Sequence, residues 1–86
     1  MIILVHKRFK KSFKKLPVSL QRKFYEQMGV FKSNPSDSIL HNHALTGKYS
    51  GYRSITITGD CRVIFAEIDN KTIELEDIGT HSQLYG

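Results

Sequence analysis

Gly51-Tyr52-Arg53-Ser54-Ile55-Thr56-Ile57-Thr58-Gly59-Asp60-Cys61-Arg62-Val63-Ile64-Phe65 is the stretch whose reading decides the fold. Arg53, Ile55 and Ile57 alternate with Ser54, Thr56 and Thr58. That period of two sends successive side chains to opposite faces of a strand. Thr58-Gly59 supplies a turn, and Arg62–Ile68 resumes as a strand rich in Val, Ile and Phe. The stretch therefore reads as a β-hairpin, and it carries two arginines and an aspartate. Asp69-Asn70 turns the chain again, Lys71–Ile78 reads as a last strand, and Gly79-Thr80-His81-Ser82-Gln83-Leu84-Tyr85 follows it.

Upstream of the hairpin the period changes. Ile2–Val5 is a short apolar run and reads as a first strand. Val5, Phe9, Phe13 and Leu16 recur at helical spacing, with lysines on the other faces. Pro17 cannot continue that helix but suits the first turn of the next, where Leu20, Phe24, Met28 and Phe31 repeat the spacing. Asn34-Pro35 stops the second helix, because a residue before proline avoids the helical region. Ser33–Lys48 is loop-like and holds His41 and His43. The order is β-α-α-β-β-β. It predicts an α+β fold: an antiparallel β-sheet with an N-terminal helical hairpin packed on one face and the other face free to bind.

Composition narrows the function classes. Eighty-six residues make a single domain, 1–86, with no repeat or linker. A chain this short buries roughly 60–65% of its unfolded surface, which predicts modest stability. An apolar share of 40% suits a folded chain. No apolar run approaches the ~18 residues of a membrane span, so no membrane role is expected. Met1–Val5 is too short for a signal-peptide core and its basic residues follow it, so the expected location is cytoplasmic. The lone Cys61 excludes an intrachain disulfide and fits a reducing compartment. The net charge of +5 is unevenly spread. Residues 1–33 hold nine Lys/Arg against Glu26 alone, and residues 34–86 hold four against seven acids. The N-terminal part thus suits a polyanion or an acidic protein, or is a solvated basic helix face.

Each chemical candidate also has a plainer reading. His81 can give or take a proton in a transition state, or it is a surface histidine near the terminus. His41 and His43 stand two apart in one loop. With His81 or Cys61 they lack the usual zinc-ligand spacing, so no metal and no cofactor are expected. Asp60 is either a site acid or a turn residue. Arg53 and Arg62 either hold a phosphate through the guanidinium fork or pair with strand acids such as Glu67, Glu74, Glu76 and Asp77. Tyr85 either stacks on a nucleobase or packs on the sheet. No phosphate-cradling glycine motif, Gly-x-Ser-x-Gly elbow or Cys-x-x-Cys pair is present.

Four motifs recur together in one order: His43-Ala44-Leu45-Thr46-Gly47, Gly51-Tyr52-Arg53, Asp60 with Arg62-Val63-Ile64-Phe65, and Gly79 through Tyr85. On these residues the chain resembles the RelE/ParE superfamily of bacterial toxins and, within it, the YafQ-like mRNA interferases, over nearly its whole length. The resemblance implies the toxin of a type II toxin–antitoxin system, an endoribonuclease that cuts mRNA on the ribosome, and a cognate antitoxin as partner. His81 then looks like the catalytic C-terminal histidine, His43 like the loop histidine, Asp60 like the hairpin acid and Tyr85 like the terminal aromatic. The chain departs from the family pattern at Thr56, where a further histidine can stand, at Cys61, where an aromatic can stand, and at Asp77, in place of a basic residue.

The expected chemistry is attack of a ribose 2′-hydroxyl on its own 3′-phosphate, with His81 as general acid and His43 or Asp60 as base. Arg62 and then Arg53 would hold the phosphate. Lys10, Lys11, Lys14 and Lys15 are expected to dock on ribosomal RNA, or else to meet an acidic antitoxin. A ParE-like toxin that binds gyrase and cuts nothing is the runner-up, and an inactive antitoxin-binding domain is a third reading.

Overall fold

The structure is a computed structural model that describes residues 1–86. Its centre is the pair β4 (Cys61–Glu67) and β5 (Thr72–Thr80), joined antiparallel from Cys61 opposite Thr80 to Glu67 opposite Ile73. Val63, Ile64 and Phe65 are essentially inaccessible, because β4 is covered on both faces. β3 (Arg53–Thr56) pairs antiparallel with β4, and β2 (His43–Ala44) pairs antiparallel with β3. β1 (Ile2–Val5) closes the other edge, giving the order β1-β5-β4-β3-β2.

The sheet is mixed, which departs from the wholly antiparallel expectation. β1 runs parallel to β5, from Ile2 opposite Thr72 to Val5 opposite Leu75. The reason lies in the next element. β1 ends halfway along β5, where the His6 amide donates to the Leu75 carbonyl at 2.9 Å. From there α1 (Lys7–Lys14) starts directly over the sheet, and Phe9 enters the core. His6 caps α1, its Nδ1 accepting from the Arg8 amide at 3.0 Å.

After Pro17, α2 (Val18–Ser33) returns antiparallel to complete the helical hairpin. Phe9, Phe24, Met28 and Phe31 meet Ile55, Val63, Phe65, Leu75 and Ile78 from the sheet. Phe31 and Phe65 pack edge to face, with ring centres 5.3 Å apart. The one buried polar helix side chain, Gln27, donates through Nε2 to the Thr56 carbonyl at 3.0 Å, so its burial leaves that donor satisfied.

The register shifts between Ile64 and Phe65, so that Ile64 faces Asp77 and Phe65 faces Leu75. Glu76 is the extra residue of this bulge. It is buried and takes Arg8 Nη1 at 3.0 Å, tying α1 to β5. The second face of the sheet is not wholly free, contrary to expectation. Tyr49, Ile64 and Leu84 form a small second cluster there with Leu45, Tyr52 and Tyr85. Leu84 and Tyr85 come from a short C-terminal helix, α3 (His81–Tyr85), where the sequence reading saw only a tail. What stays open on this face is the end near the β3–β4 turn.

The core has one orphaned polar atom, the buried Ser54 hydroxyl, which has no hydrogen-bond partner. Ser54→Ala is expected to leave stability unchanged or raise it by up to ~1 kcal/mol, because it removes an unmet desolvation cost. Phe65→Ala should cost about 3–5 kcal/mol by cavity formation in the same sheet. Urea denaturation followed by circular dichroism measures both, and a clear loss for Ser54→Ala would overturn the account of that site.

Candidate active site

The open end of the second face is built by the β3–β4 hairpin. Thr56 and Arg62 face each other in register. Arg62 Nη1 donates to Thr56 Oγ1 at 2.9 Å and Nη2 to the Gly59 carbonyl at 3.4 Å. The guanidinium is thus laid across the turn that β3 and β4 share, half-buried, with donors to spare. It lines a shallow pocket of about 380 Å³ with His41, His43, Thr56 and Gly59, and no apolar side chain.

His43 enters that pocket from β2, where it pairs with Ser54. Its Nδ1 lies 2.7 Å from the His41 carbonyl oxygen. A carbonyl only accepts, so Nδ1 carries the proton and Nε2 of the neutral ring keeps its lone pair. His41 is the only non-glycine residue in the left-handed region, with φ 47°. It ends the 3₁₀ turn Ser38–Leu40, which is anchored by the fully buried Leu40. That uncommon backbone conformation turns the His41 carbonyl toward the His43 ring. Asn42 ties the segment down further, with Nδ2 donating to the Pro35 carbonyl at 3.0 Å.

On the other side of the turn, Thr80 closes the β4–β5 ladder opposite Cys61. Asp60 and His81 are therefore neighbours just beyond the last pair, and the His81 amide donates to Asp60 Oδ1 at 3.4 Å. His81 opens α3, and its ring lies 4.7 Å from that of Tyr85, a helical turn further on. Thr80 and Gln83 cap the helix reciprocally: Thr80 Oγ1 accepts from the Gln83 amide at 3.2 Å, and Gln83 Oε1 accepts from the Thr80 amide at 2.8 Å. A Cβ at Gly79 would lie 2.8 Å from Gln83 Oε1, so a larger residue there would push the Gln83 side chain out of its capping position.

The structure brings His43, Arg62, Asp60, His81 and Tyr85 to one end of the sheet and leaves the other candidates elsewhere. Arg53 shares a strand face with Ile55, opposite that of Thr56. Its Nε donates to Asn42 Oδ1 at 2.9 Å, so it braces the segment that bears His41 and His43. Lys10, Lys11, Lys14 and Lys15 lie on α1 and its C-terminal cap, on the helical side. Lys10 and Lys14 line an apolar groove of about 480 Å³ with Ile3, Phe13 and Tyr25. Cys61 is buried in the main core, where burial and then Asp60 push its thiol above the ordinary range. No three His, Cys, Asp or Glu side chains converge as a metal site. Sequence reasoning missed the His41 carbonyl at His43 and the hydrogen bonds that Lys48 and Tyr49 give to the Leu84 carbonyl. The signal for α3 was present in Thr80-x-x-Gln83, a capping pair.

A model of bacterial toxins of type II toxin–antitoxin systems, YafQ, matches residues 1–86. The chain belongs to the YafQ toxin family. Among solved structures it is similar to YafQ from E. coli strain BL21(DE3), with a TM-score of 0.77, 24% identity, and coverage of 98% of this chain and 97% of that one. The E. coli DinJ-YafQ toxin-antitoxin complex gives a TM-score of 0.75 at 24% identity, covering 98% of this chain and 96% of that one. A YoeB/ParE toxin from Agrobacterium tumefaciens gives 0.76 at 16% identity, covering 94% and 99%. No curated protein matches the chain in sequence. The YafQ family places this chain among the toxins of type II toxin–antitoxin systems.

When neutral, the His43 imidazole of this YafQ-family toxin is expected as the Nδ1–H form. Nitrogen-15 NMR of histidine-labelled protein distinguishes the two forms, and an Nε2–H ring at His43 would contradict the hydrogen bond to His41.

Proposed function

We propose that this toxin is a metal-independent endoribonuclease that cuts mRNA on the ribosome. The observation that carries the reading is the pocket in which His43, with Nε2 free, stands with Arg62, while His81 and Asp60 sit together just past the same turn. His43 Nε2 takes the proton from a ribose 2′-hydroxyl. The 2′-oxygen attacks the adjacent phosphorus, and the bond to the 5′-oxygen breaks. His81 gives that oxygen its proton, leaving a 2′,3′-cyclic phosphate that water opens to a 3′-phosphate. Arg62 meets the charge that builds on the phosphorane. The nucleophile belongs to the substrate, so the chemistry asks for no metal.

Asp60 sits on the acid side, where it holds the His81 backbone, and this favours His43 over Asp60 as the base. Tyr85, half-buried against His81, offers a face for a nucleobase. Arg53 supports the loop and is assigned no phosphate contact. A cytoplasmic location follows from a ribosome-bound substrate.

His81→Ala should lower cleavage at least ~100-fold, and Arg62→Ala should lower it by about 10²–10³, with the fold intact by circular dichroism. Primer extension on mRNA in a pre-assembled ribosome complex, in excess EDTA after assembly, measures both. Growth arrest that survives His81→Ala while mRNA stays intact would favour the gyrase-binding reading.

The basic helices divide into two surfaces. Nucleic acid is gripped through phosphates and does not fill apolar grooves. Lys10 and Lys14, at the rim of such a groove, therefore suit an acidic segment of the cognate antitoxin. Lys11 and Lys15 remain for ribosomal RNA. Lys10→Gln with Lys14→Gln should weaken antitoxin neutralisation by about tenfold, whereas Lys11→Gln with Lys15→Gln should flatten the salt dependence of ribosome sedimentation. Identical behaviour of the two pairs in both assays would dissolve the division.

A further inference from the structure

At five residues, α3 is too short to hold its own shape, so its position is set by what it touches at each end. The capping pair Thr80 and Gln83 fixes the start. The far end poses a different problem, because the last carbonyls of a helix have no partner within it. The Leu84 carbonyl is met from outside by the 3₁₀ turn Gly47–Tyr49. Tyr49 donates its hydroxyl to that oxygen at 3.1 Å, and Lys48 Nζ donates to it at 3.3 Å. The Tyr49 ring also stands edge-on to Tyr85, 5.4 Å between centres, and Tyr85 in turn packs on the His81 ring. A continuous path thus runs from Tyr49 through the end of α3 to the His81 imidazole. Tyr49 is buried, which holds its phenol in the protonated, donating form; Asp77 acts in the same direction.

We propose that Tyr49, assisted by Lys48, is a positioning residue for His81: together they clamp the Leu84 carbonyl, and the Tyr49 ring seats Tyr85, so that His81 is held beside Asp60. This rests on the reading of His81 as the proton donor. Without the clamp α3 stays docked through the buried Leu84 side chain and capped at its start, but its far end frays, and the His81 ring loses the Tyr85 contact that holds it. The separation of tasks is testable, because Tyr49→Phe keeps the ring and removes only the hydroxyl.

Tyr49→Phe, Lys48→Met and the double variant are to be compared in two ways. The first is imidazole NMR of the free protein, which needs no activity. The His81 resonances should move toward those of an unconstrained histidine, while those of His43 stay in place. The second is single-turnover cleavage at saturating toxin. Tyr49→Phe should lower the first-order constant about tenfold, with affinity for the ribosome complex within about twofold, and should cause no further loss in the residual rate of His81→Ala. Unchanged His81 resonances in the double variant would overturn the proposal. So would a cleavage loss of equal size in the His81→Ala background. Should Tyr49→Phe not fold, Lys48→Met alone carries both measurements, since Lys48 is exposed. A wild-type protein that cuts no RNA would sink the proposed function, while the NMR comparison would still decide the clamp.

Discussion

The antiparallel pairing of β4 with β5 is the constraint on which the rest of the structure depends. β4 is buried on both faces, and the alternation of its side chains serves both. Val63 and Phe65 pack under the helices, and Ile64 anchors the small cluster on the opposite side. Every other element takes its place from this pair. β1 adds to the outer edge of β5, β3 to that of β4, and the last rung, Cys61 with Thr80, delivers Asp60 and His81 to the same spot. A slip of one residue in that register would turn Arg62 into the core and Val63 out of it.

The site is made from the ends of elements and not from their middles. Its groups come from a two-residue strand, a turn and the first residue of a five-residue helix. Apart from the start of β4, which bears Arg62, these pieces are too short to be fixed by apolar contact alone: Leu84 docks α3, and polar contacts set the side chains. The His41 carbonyl orients His43, the Gly59 carbonyl and Thr56 orient Arg62, and Asp60 holds the His81 backbone. Each such bond is worth only about 0.5–1.5 kcal/mol, yet several in one place fix a geometry that loops alone would not keep. Thr56 shows the exchange plainly: where the family can carry a histidine, this chain uses a hydroxyl to steady an arginine.

The elements with a sustained period were legible in the sequence. Two helices with aromatic stripes at helical spacing, and the hairpin with its alternation, stand where the pattern put them, and so does the α+β class. The direction of β1 was not legible, because four apolar residues show a strand but not its neighbour's sense. Neither β2 nor α3 was legible from periodicity, since two and five residues are too short for a period; only the capping pair Thr80-x-x-Gln83 marked α3. On the site, residue types identified His43, Asp60, Arg62 and His81 as candidates, and the fold gathers them. They did not show that Arg53 points to the other face. Parity along β3 contained that information, because Arg53 alternates with Thr56 and shares its face with Ile55. Nor did they show Tyr49, whose role depends on a carbonyl thirty-five residues away.

The charge asymmetry acquires a meaning once the faces are separated. Most of the basic residues of 1–33 lie on the two helices, and His43 and Arg62 lie on the other face of the sheet, while Lys15 and Arg8 reach the edge where α3 docks. Long-range attraction to a polyanion acts over roughly a Debye length, about 8–10 Å at physiological salt, and asks for no exact placement. Proton transfer to a scissile phosphate asks for placement within a hydrogen bond. On the proposed function, a protein this small meets both demands largely from different sides of one sheet. On that reading solvated lysines gather a partner on one side, where their mobility costs little. On the other side short fastened segments hold two histidines and an arginine around the turn, where mobility would cost the reaction. The sheet between them, with β4 buried on both faces, is the rigid body that lets the two sides differ so much in order.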